Sequence, residues 1–285
     1  DVCSSDLGPA RIELAFGNCA GPQTPDFDSL WARRQFCFLS GRLGLAAAER
    51  LRSEFGRVHE VNETMPNDLK LALDVESQRI ITERLLADFP GHAVLGEEGV
   101  AGESGSEYRW IVDPIDGTVN FFYGIPHFAV SIALERGGQV IAGVVIDPMQ
   151  REVWSVETGG PARLGDREIS VSSRSDLSDA IVMLGFAKTP DKIDEGMRRY
   201  RAFAPRVRKV RMLGSAALAM TYVATGRLDV YVEETVSLWD IAAGKLLVEE
   251  AGGRVELTPH PDRDDRYSIV CWNGALPVLD ILAEE

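Results

Sequence analysis

Hydrophobic residues recur with a helical period in the first third of the chain. Between residues 27 and 55 most of them lie three, four or seven positions apart, and Gly56 follows as a stop signal. A second stripe, through Ile81, Leu85 and Phe89, is closed by a Pro-Gly pair. The pattern predicts one long helix or two in the first stretch, and a further helix that ends near Phe89.

Beyond residue 91 the pattern changes to short apolar runs separated by Gly, Pro and Asp, which is typical of strands. In the run 128–134, large residues alternate with small ones, and Gly137-Gly138 leads into the next run, so we expect a hairpin with one tightly packed face. Mixed layers of helices and largely antiparallel sheet follow, and the predicted fold class is α+β. The predicted strands are 93–95, 110–112, 128–134, 140–146, 152–156, 180–184, 229–232, 254–257 and 268–272, and the later predicted helices are 192–203, 215–225 and 240–251.

Composition narrows the class of protein. The 285 residues include 30 Lys+Arg and 44 Asp+Glu, and the formal net charge of −14 disfavours binding to a nucleic-acid backbone. With 45% hydrophobic and 26% charged residues the chain matches globular averages, which excludes a disordered, collagen-like or disulfide-stapled protein. The four cysteines form no Cys-x-x-Cys pair and no apolar run is long enough to cross a bilayer, so we expect a cytoplasmic protein without a membrane role.

The domain organisation is predicted from the same pattern. Residues 1–25 are rich in Gly, Pro and small side chains without sustained periodicity, and we expect a loose leader that need not be native. The rest, 26–285, is expected to form a single domain of two halves, about 26–160 and about 161–285. The weakest seam between the halves lies at residues 157–166.

Acidic residues stand at the ends of predicted elements. Glu97 and Glu98 follow one predicted strand, Asp113 and Asp116 follow another, and Asp240 opens a predicted helix. If these carboxylates converged without a cation, their repulsion would raise their pKa values and cost stability, so convergence predicts a divalent ion. The three clusters contain no His or Cys, and ligands that are all oxygen favour Mg²⁺ or Mn²⁺ over Zn²⁺.

The central acidic block reads Asp-Pro-Ile-Asp-Gly-Thr. Asp-Pro and Asp-Gly both form turns, so a plain surface turn is the alternative interpretation. The three-residue spacing of Asp113 and Asp116 excludes an EF-hand and an Asp-x-Asp phosphoaspartate motif. The block can aim both carboxylates and the Ile115 carbonyl at one metal cluster, while the N–H groups of Gly117 and Thr118 face a phosphate at a predicted helix start.

Four blocks of the sequence carry a family resemblance. They read Gly-Glu-Glu at 96–98, Trp-Ile-Val-Asp-Pro-Ile-Asp-Gly-Thr-Val-Asn-Phe at 110–121, Trp-Asp-Ile-Ala-Ala-Gly at 239–244 and Glu-Ala-Gly-Gly at 250–253. In this order they closely resemble the signature blocks of the inositol monophosphatase family, and the resemblance runs from about residue 68 to the C-terminus. It implies a layered α-β-α-β-α sandwich, as in the superfamily shared with fructose-1,6-bisphosphatase. It also implies a Mg²⁺-dependent phosphomonoesterase acting on a small polar phosphate ester, with metal and catalytic groups in the first half and substrate-lining residues in the second.

The resemblance implies a set of metal ligands. Glu97, Asp113 and the Ile115 carbonyl resemble the ligands of a first metal, and Asp113, Asp116 and Asp240 resemble those of a second. Glu97 would also hold a third ion through water. Water activated by these ions would attack phosphorus directly, without a covalent phosphoenzyme.

Further roles follow from the same resemblance. Asp74 lies 23 residues before Glu97, like the family aspartate that pairs with the threonine here numbered Thr118 to orient the attacking water, and Glu98 would lie behind the metal ligands. Asp74 stands at a predicted helix start, so a simple helix cap is the alternative, and the two roles can coexist. The substrate-binding residues implied by the resemblance, besides Asp116 and Asp240, are Gly214, Ser215, Ala216 and Glu233.

The substrate stays open between two phosphate esters. Glu233 matches the acidic residue with which the family binds a substrate hydroxyl, but a carboxylate also pairs with an ammonium group. Inositol phosphate and histidinol phosphate therefore both remain candidates. Branches of the superfamily that act on bisphosphates would need basic residues for a second phosphate, and the sequence offers no clear set.

The sequence departs from the family before Asp74. Lys70 and Leu71 stand where the family usually carries Val and a hydroxyl residue, and we expect Lys70 to take over a charge role near the site. A partner-binding regulatory protein of the same fold, acting on RNA or transcription factors, is the alternative class of function, but the intact acid set favours catalysis. The resemblance also suggests inhibition by Li⁺ and a homodimer. The basic run 206–211 is expected to form a solvated basic strand at the surface, and the flank of a dimer interface is the alternative.

Overall fold

In the computed structural model the described residues are 44–57, 61–65, 68–186, 190–261 and 263–284. The predicted leader and the first part of the predicted helix 27–55 lie outside them. The described helix ends at residue 54, and Gly56 follows with φ of +79°, as its stop signal predicts.

Helices and strands both occur throughout the described part of the chain. The elements of the first part are α1 (44–54), β1 (Val61–Met65), β2 (Asp68–Leu71), α2 (Ala72–Asp88), β3 (Ala93–Gly96), β4 (Gly99–Gly102), β5 (Tyr108–Asp116), α3 (Thr118–Phe122), β6 (Ala129–Arg136), β7 (Gln139–Asp147), β8 (Glu152–Glu157), β9 (Arg163–Leu164) and β10 (Arg167–Glu168). The elements of the second part are β11 (Ile181–Leu184), α4 (Pro190–Phe203), β12 (Lys209–Arg211), α5 (Ala216–Ala224), β13 (Val230–Ser237), α6 (Leu238–Glu250), β14 (Arg254–His260), β15 (Arg263–Trp272) and α7 (Val278–Ala283).

Two sheets and three helical layers form the sandwich. The first sheet has eight strands in the order β10-β9-β8-β7-β6-β5-β3-β4, and the second has five in the order β12-β11-β13-β15-β14. Helices α5 and α6 pack between the sheets, α1 and α2 cover the outer face of the first sheet, and α4 and α7 cover the outer face of the second. The fold is therefore an α+β sandwich with the layer order α-β-α-β-α, which confirms the predicted class.

The hairpin of β6 and β7 confirms the predicted tightly packed face. Its two strands are joined by Gly137-Gly138, both with positive φ. The large side chains of β6 pack outward in the cluster that contains α1 and α2, whereas Ala129 and Ala133 face α5 and α6. On β7, a Cβ added to Gly143 would lie 2.9 Å from the Cα of Ala243, so the missing side chain lets α6 approach the sheet.

Some elements differ from the expectation. Strand β4 was not expected because all of its residues are exposed and glycines stand at both ends, which leaves no hydrophobic pattern to detect. The predicted basic strand at 206–211 is shorter and occupies only β12, at the edge of the second sheet. The first sheet continues through β9 and β10, across the stretch that contains the expected seam between halves. Among the described helices, none combines the length and apolar character of a membrane span.

Candidate active site

Three aspartates from distant parts of the chain meet in one place. Asp113 and Asp116 lie near the end of β5, and Asp240 lies in the first turn of α6. One carboxylate oxygen of each lies within 4.8 Å of the others. The convergence that the sequence analysis required for a divalent-cation site is therefore present for these three residues.

A bulge at the end of β5 aims the first two acids. The register of β5 with β6 shifts between Asp113 and Asp116, so the chain leaves the regular ladder at this point. Asp113 Oδ1 accepts a hydrogen bond from the N–H of Ile115 at 2.9 Å, and the Thr118 hydroxyl donates to the Ile115 carbonyl, also at 2.9 Å. Gly117 turns the chain into α3 with φ of +97°, a conformation that L side chains rarely adopt.

Asp116 is held at the beginning of α5. Its carboxylate accepts hydrogen bonds from the Ser215 hydroxyl, from the N–H of Ala216 at 3.2 Å and from the N–H of Ala217 at 2.9 Å. These contacts join the first sheet to the middle helical layer. Ser215, predicted only as part of the pocket wall, thus orients a candidate metal ligand, and its hydroxyl also accepts a hydrogen bond from the first turn of α5.

Asp240 and Asp74 occupy equivalent positions on two helices. Asp240 is the third residue of α6, and its Oδ2 accepts a hydrogen bond from the N–H of Ser237 at 2.8 Å. Asp74 is the third residue of α2, and its Oδ2 accepts from the N–H of Leu71 at 2.7 Å. The alternative that Asp74 is the N-cap of this helix is therefore wrong, because the N-cap residue is Leu71 and Asp74 lies three positions further on. Asp74 is buried, and it is not among the residues that line the pocket.

The electrostatics of the three aspartates suit a cation. Burial raises the pKa of Asp116 to about 6 and that of Asp240 to about 7, and burial also raises the pKa of Asp113 well above its usual range. Repulsion from Glu97, Asp116 and Asp240 adds to the shift of Asp113, which shares a hydrogen bond with Asp240. Carboxyl groups that hold protons this strongly gain stability when a divalent cation replaces those protons. The oxygen donors match Mg²⁺ or Mn²⁺ in hardness, so the residues present fit the predicted metal.

Glu97 and Glu98 lie beside this group. Glu97 is exposed, lines the same pocket and acts electrostatically on Asp113, but it is not part of the tight group of three. Glu98 is half-buried behind it, and its N–H donates to the Gln78 side chain at 2.7 Å. Glu97 therefore lines the pocket and Glu98 does not, and the roles assigned to both stay predictions. The side chain of Lys70 lies outside the described residues, so its charge role stays a prediction.

The acids line a pocket of about 540 Å³ between the ends of the two sheets. Gly117 and Thr118 are on its acidic side, and the predicted loop of Gly214, Ser215 and Ala216 is also part of its lining. Asn120 fastens this loop to α3, because its side-chain amide donates to the Leu213 carbonyl at 2.8 Å. The pocket therefore contains every sequence-predicted site residue except Asp74 and Glu98.

Glu233 enters the pocket from the second sheet. The ladder of β13 with β15 shifts register between Glu233 and Val236, so a second irregularity stands at the site. The Tyr231 hydroxyl donates to Glu233 Oε2 at 2.6 Å. Burial raises the pKa of Glu233 to about 7, and the Tyr231 hydrogen bond opposes this shift.

Sequence reasoning missed part of the pocket wall. These residues belong to β11 and the turn after it, to the segment before α5 and to β15, and nothing in their local pattern distinguishes them from ordinary strand or loop residues. Their position at the site depends on how the second sheet packs against the first. The missed wall residues include Met183, Leu184, Phe186, Met212 and Arg266.

Sequence comparison relates this chain to known proteins. The sequence model described as the inositol monophosphatase family matches residues 34–267. The inositol-1-monophosphatase of Rhizobium meliloti is 42% identical over 215 residues, which are 73% of this chain and 79% of the relative. The protein of Pseudomonas aeruginosa named Nus factor SuhB is 38% identical over 222 residues, which are 76% of this chain and 80% of that protein.

A solved structure shows the same architecture. The extragenic suppressor protein suhB from Bartonella henselae superposes with a TM-score of 0.78 at 35% identity, over 85% of this chain and 95% of that chain. A five-layered sandwich with carboxylates gathered between the ends of its two sheets defines the class of protein. The chain belongs to the inositol monophosphatase family.

Proposed function

We propose that this protein is a Mg²⁺-dependent phosphomonoesterase that hydrolyses a small polar phosphate ester resembling inositol monophosphate. The observation that carries the proposal is the group formed by Asp113, Asp116 and Asp240, which three separate backbone features hold together. Membership of a family whose relatives include proteins named inositol-1-monophosphatase supports the same reaction class.

The cation would be held by acidic groups of both halves of the chain. Asp113, Asp116 and Asp240 would be its ligands, with Glu97 and the Ile115 carbonyl as further ligands of a set of two or three ions, and Mn²⁺ as the alternative metal. When bound, divalent cations supply Lewis-acid stabilisation of the phosphoryl group and activation of water.

The protein groups around the cations would orient the reactants. We assign the N–H groups of Gly117 and Thr118 to the phosphate oxygens, since both residues line the pocket at the beginning of α3. Thr118, paired with Asp74, would orient the attacking water, and Glu98 would support the ligands from behind. In the reaction the water oxygen bonds to phosphorus, the ester P–O bond breaks, and the leaving alcohol oxygen takes up a proton.

The alcohol part of the substrate would lie against Glu233 and the loop that contains Ser215. An ionised Glu233 accepts hydrogen bonds from the hydroxyls of a polyol such as inositol. It would equally pair with the ammonium group of histidinol phosphate, which is the alternative substrate. A panel with both esters, read by phosphate release, distinguishes them.

The central test replaces one ligand by its amide. Asp113→Asn keeps the size of the side chain but removes the charge that the cation needs, so we expect kcat/KM to fall by about 10²-fold or more. EDTA is expected to abolish the activity of the wild type, and Li⁺ to inhibit it. Asp166→Asn, which changes an exposed acid on a turn of the first sheet, is the matched control and is expected to act like the wild type. Full activity of Asp113→Asn would overturn the proposal.

A regulatory function is the second candidate. The observation that favours it is the 38% identity to the protein named Nus factor SuhB. In this alternative the chain would bind RNA or the transcription machinery, although its net charge of −14 opposes contact with phosphate backbones. Asp113→Asn distinguishes the two functions. The variant should lose phosphate release but keep the binding of RNA or the transcription machinery, because only catalysis requires the cation ligand.

We also propose a cytoplasmic homodimer. Helix α4 exposes an apolar row of Ile193, Met197 and Tyr200, spaced by four and three residues on one face. A second copy of the chain would remove this row from water. Cys271 is a buried free thiol, as in proteins of a reducing compartment. Sedimentation equilibrium of the wild type checks the dimer, and a mass of one chain at micromolar concentration would contradict it.

A further inference from the structure

One cation lines the acidic pocket among the residues that the structure describes. Arg266 lies on β15 opposite Ser237, the residue that caps α6. Its side chain shares the pocket with Asp240 and Glu233. The sequence offers no clear basic set for a second anionic group, because Arg266 lies in a strand whose position at the site depends on how the sheets pack.

The charge of Arg266 helps to lower the pKa of the neighbouring Asp265, but among the described residues this electrostatic effect is not accompanied by a close contact. Within the described residues, no ion pair joins Arg266 to a carboxylate, and its buried Nε has no hydrogen-bond partner. The neighbouring Asp265 is already bound by Arg263, through bonds of 3.0 and 2.8 Å. A buried donor without an acceptor costs free energy, so an anionic ligand that reached Arg266 would recover that cost.

The position of Arg266 matches the alcohol part of the substrate. It is three residues along β15 from Ile269, which pairs with Glu233, and this separation corresponds to about 10 Å along a strand. The reacting phosphate is assigned to the opposite side, at Gly117 and Thr118. A small alcohol placed against Glu233 therefore has its far end within reach of a long arginine side chain.

We propose that Arg266 is a specificity-determining residue that binds a second anionic group of the substrate. The preferred esters would carry a carboxylate or a further phosphate on the alcohol, since the planar guanidinium binds either group through paired hydrogen bonds. The proposal rests on the proposed phosphatase function. It also weighs against histidinol phosphate, because Arg266 repels the ammonium group that Glu233 would attract.

Two matched pairs of esters test the inference. 2-Phosphoglycerate differs from glycerol 2-phosphate by a carboxylate, and fructose 1,6-bisphosphate differs from fructose 1-phosphate by a second phosphate. In the wild type we expect kcat/KM to be higher for the charged member of at least one pair. Arg266→Gln is expected to reduce that preference about tenfold, mainly through KM. The pair that responds identifies the anionic group.

Controls separate the possible failures. Arg254→Gln, on the neighbouring strand β14 and outside the pocket lining, is expected to keep the wild-type preference. Arg266→Lys, which keeps the charge without the planar fork, is expected to keep part of the preference and provides a second variant if Arg266→Gln does not fold. Equal changes for both members of each pair would overturn the role of Arg266. A wild type that hydrolyses none of these esters, and no inositol phosphate, would overturn the phosphatase function itself.

Discussion

The orientation of Glu233 depends on two neighbouring residues. Tyr231 is buried, and its hydroxyl donates a hydrogen bond to one carboxylate oxygen of Glu233 at 2.6 Å. Gly185 lies under the same carboxylate, and any Cβ at this position would collide with it. The hydrogen bond from Tyr231 and the space left by Gly185 together hold the Glu233 carboxylate in one position. In its ionised form this carboxylate can accept a hydrogen bond from a substrate hydroxyl.

Removal of the Tyr231 hydroxyl should change the pH dependence of substrate binding. In Tyr231→Phe the pKa of Glu233 rises further above about 7, because the bond that favours the charged carboxylate is lost. At pH 7 we therefore expect KM for inositol 1-phosphate to increase about tenfold, and the difference from the wild type to shrink as the pH rises. Steady-state kinetics measure this effect between about pH 6 and about pH 9, a range that extends roughly one to two units around that pKa. A loss confined to kcat and independent of pH would count against it.

At the scale of elements, close approach of α6 to the first sheet fixes the site. Asp240 lies in the first turn of α6, while Asp113 and Asp116 lie on β5, so the distance between these acids depends on how the helix packs on the strands. Small residues make this packing tight, with Gly143 of β7 against Ala243 of α6. The glycine is therefore a structural requirement of the site, although it lies outside the pocket lining.

A methyl group at Gly143 should destabilise the fold. In Gly143→Ala the new Cβ would stand 2.9 Å from the backbone of α6, and we expect the free energy of unfolding to fall by about 1–3 kcal/mol. Gly91→Ala is the matched control, because its nearest neighbour is a flexible side-chain atom at 3.8 Å. Urea denaturation of both variants measures the effect. Equal stability of the two would show that α6 shifts without cost.

At the scale of the whole molecule, acids from both sheets form one charged centre. Asp116 and Asp240, with pKa values of about 6 and about 7, hold protons in the folded protein that the unfolded chain releases near pH 4. The folded state thus binds more protons than the unfolded state between these values. Its stability must then decrease as the pH rises through this range.

The metal-free protein should therefore lose stability as the pH rises toward neutrality, a range in which many proteins are most stable. In EDTA we expect the Tm to fall from about pH 4 to about pH 7, because the aspartates lose their protons and repel each other, and we expect Mg²⁺ to restore the Tm at the higher pH. Asp113→Asn should flatten this pH dependence and remove the response to Mg²⁺. Thermal melts with EDTA or Mg²⁺ check both outcomes, and an identical pH profile for the variant would contradict the electrostatic account.

The local sequence pattern predicted most of the helices and strands. The stripe through Ile81 and Leu85 predicted α2, and the alternation around Ala129 and Ala133 predicted the face that meets the middle helices. These predictions hold because periodicity depends on which residues of one segment share a face. Strand β4 lacks any such pattern, so its exposed residues gave no signal.

The sequence by itself determined which residues carry the candidate chemistry. The acids, their oxygen-only character and their places at strand and helix ends can be read from neighbouring residues, and so can the family resemblance. Only the tertiary structure decided which groups meet: Ser215 holds Asp116 across 99 positions, and Arg266 enters a pocket of acids from the far end of the chain. The physical reason is that local spacing fixes direction within an element, whereas proximity between elements depends on how buried surfaces pack.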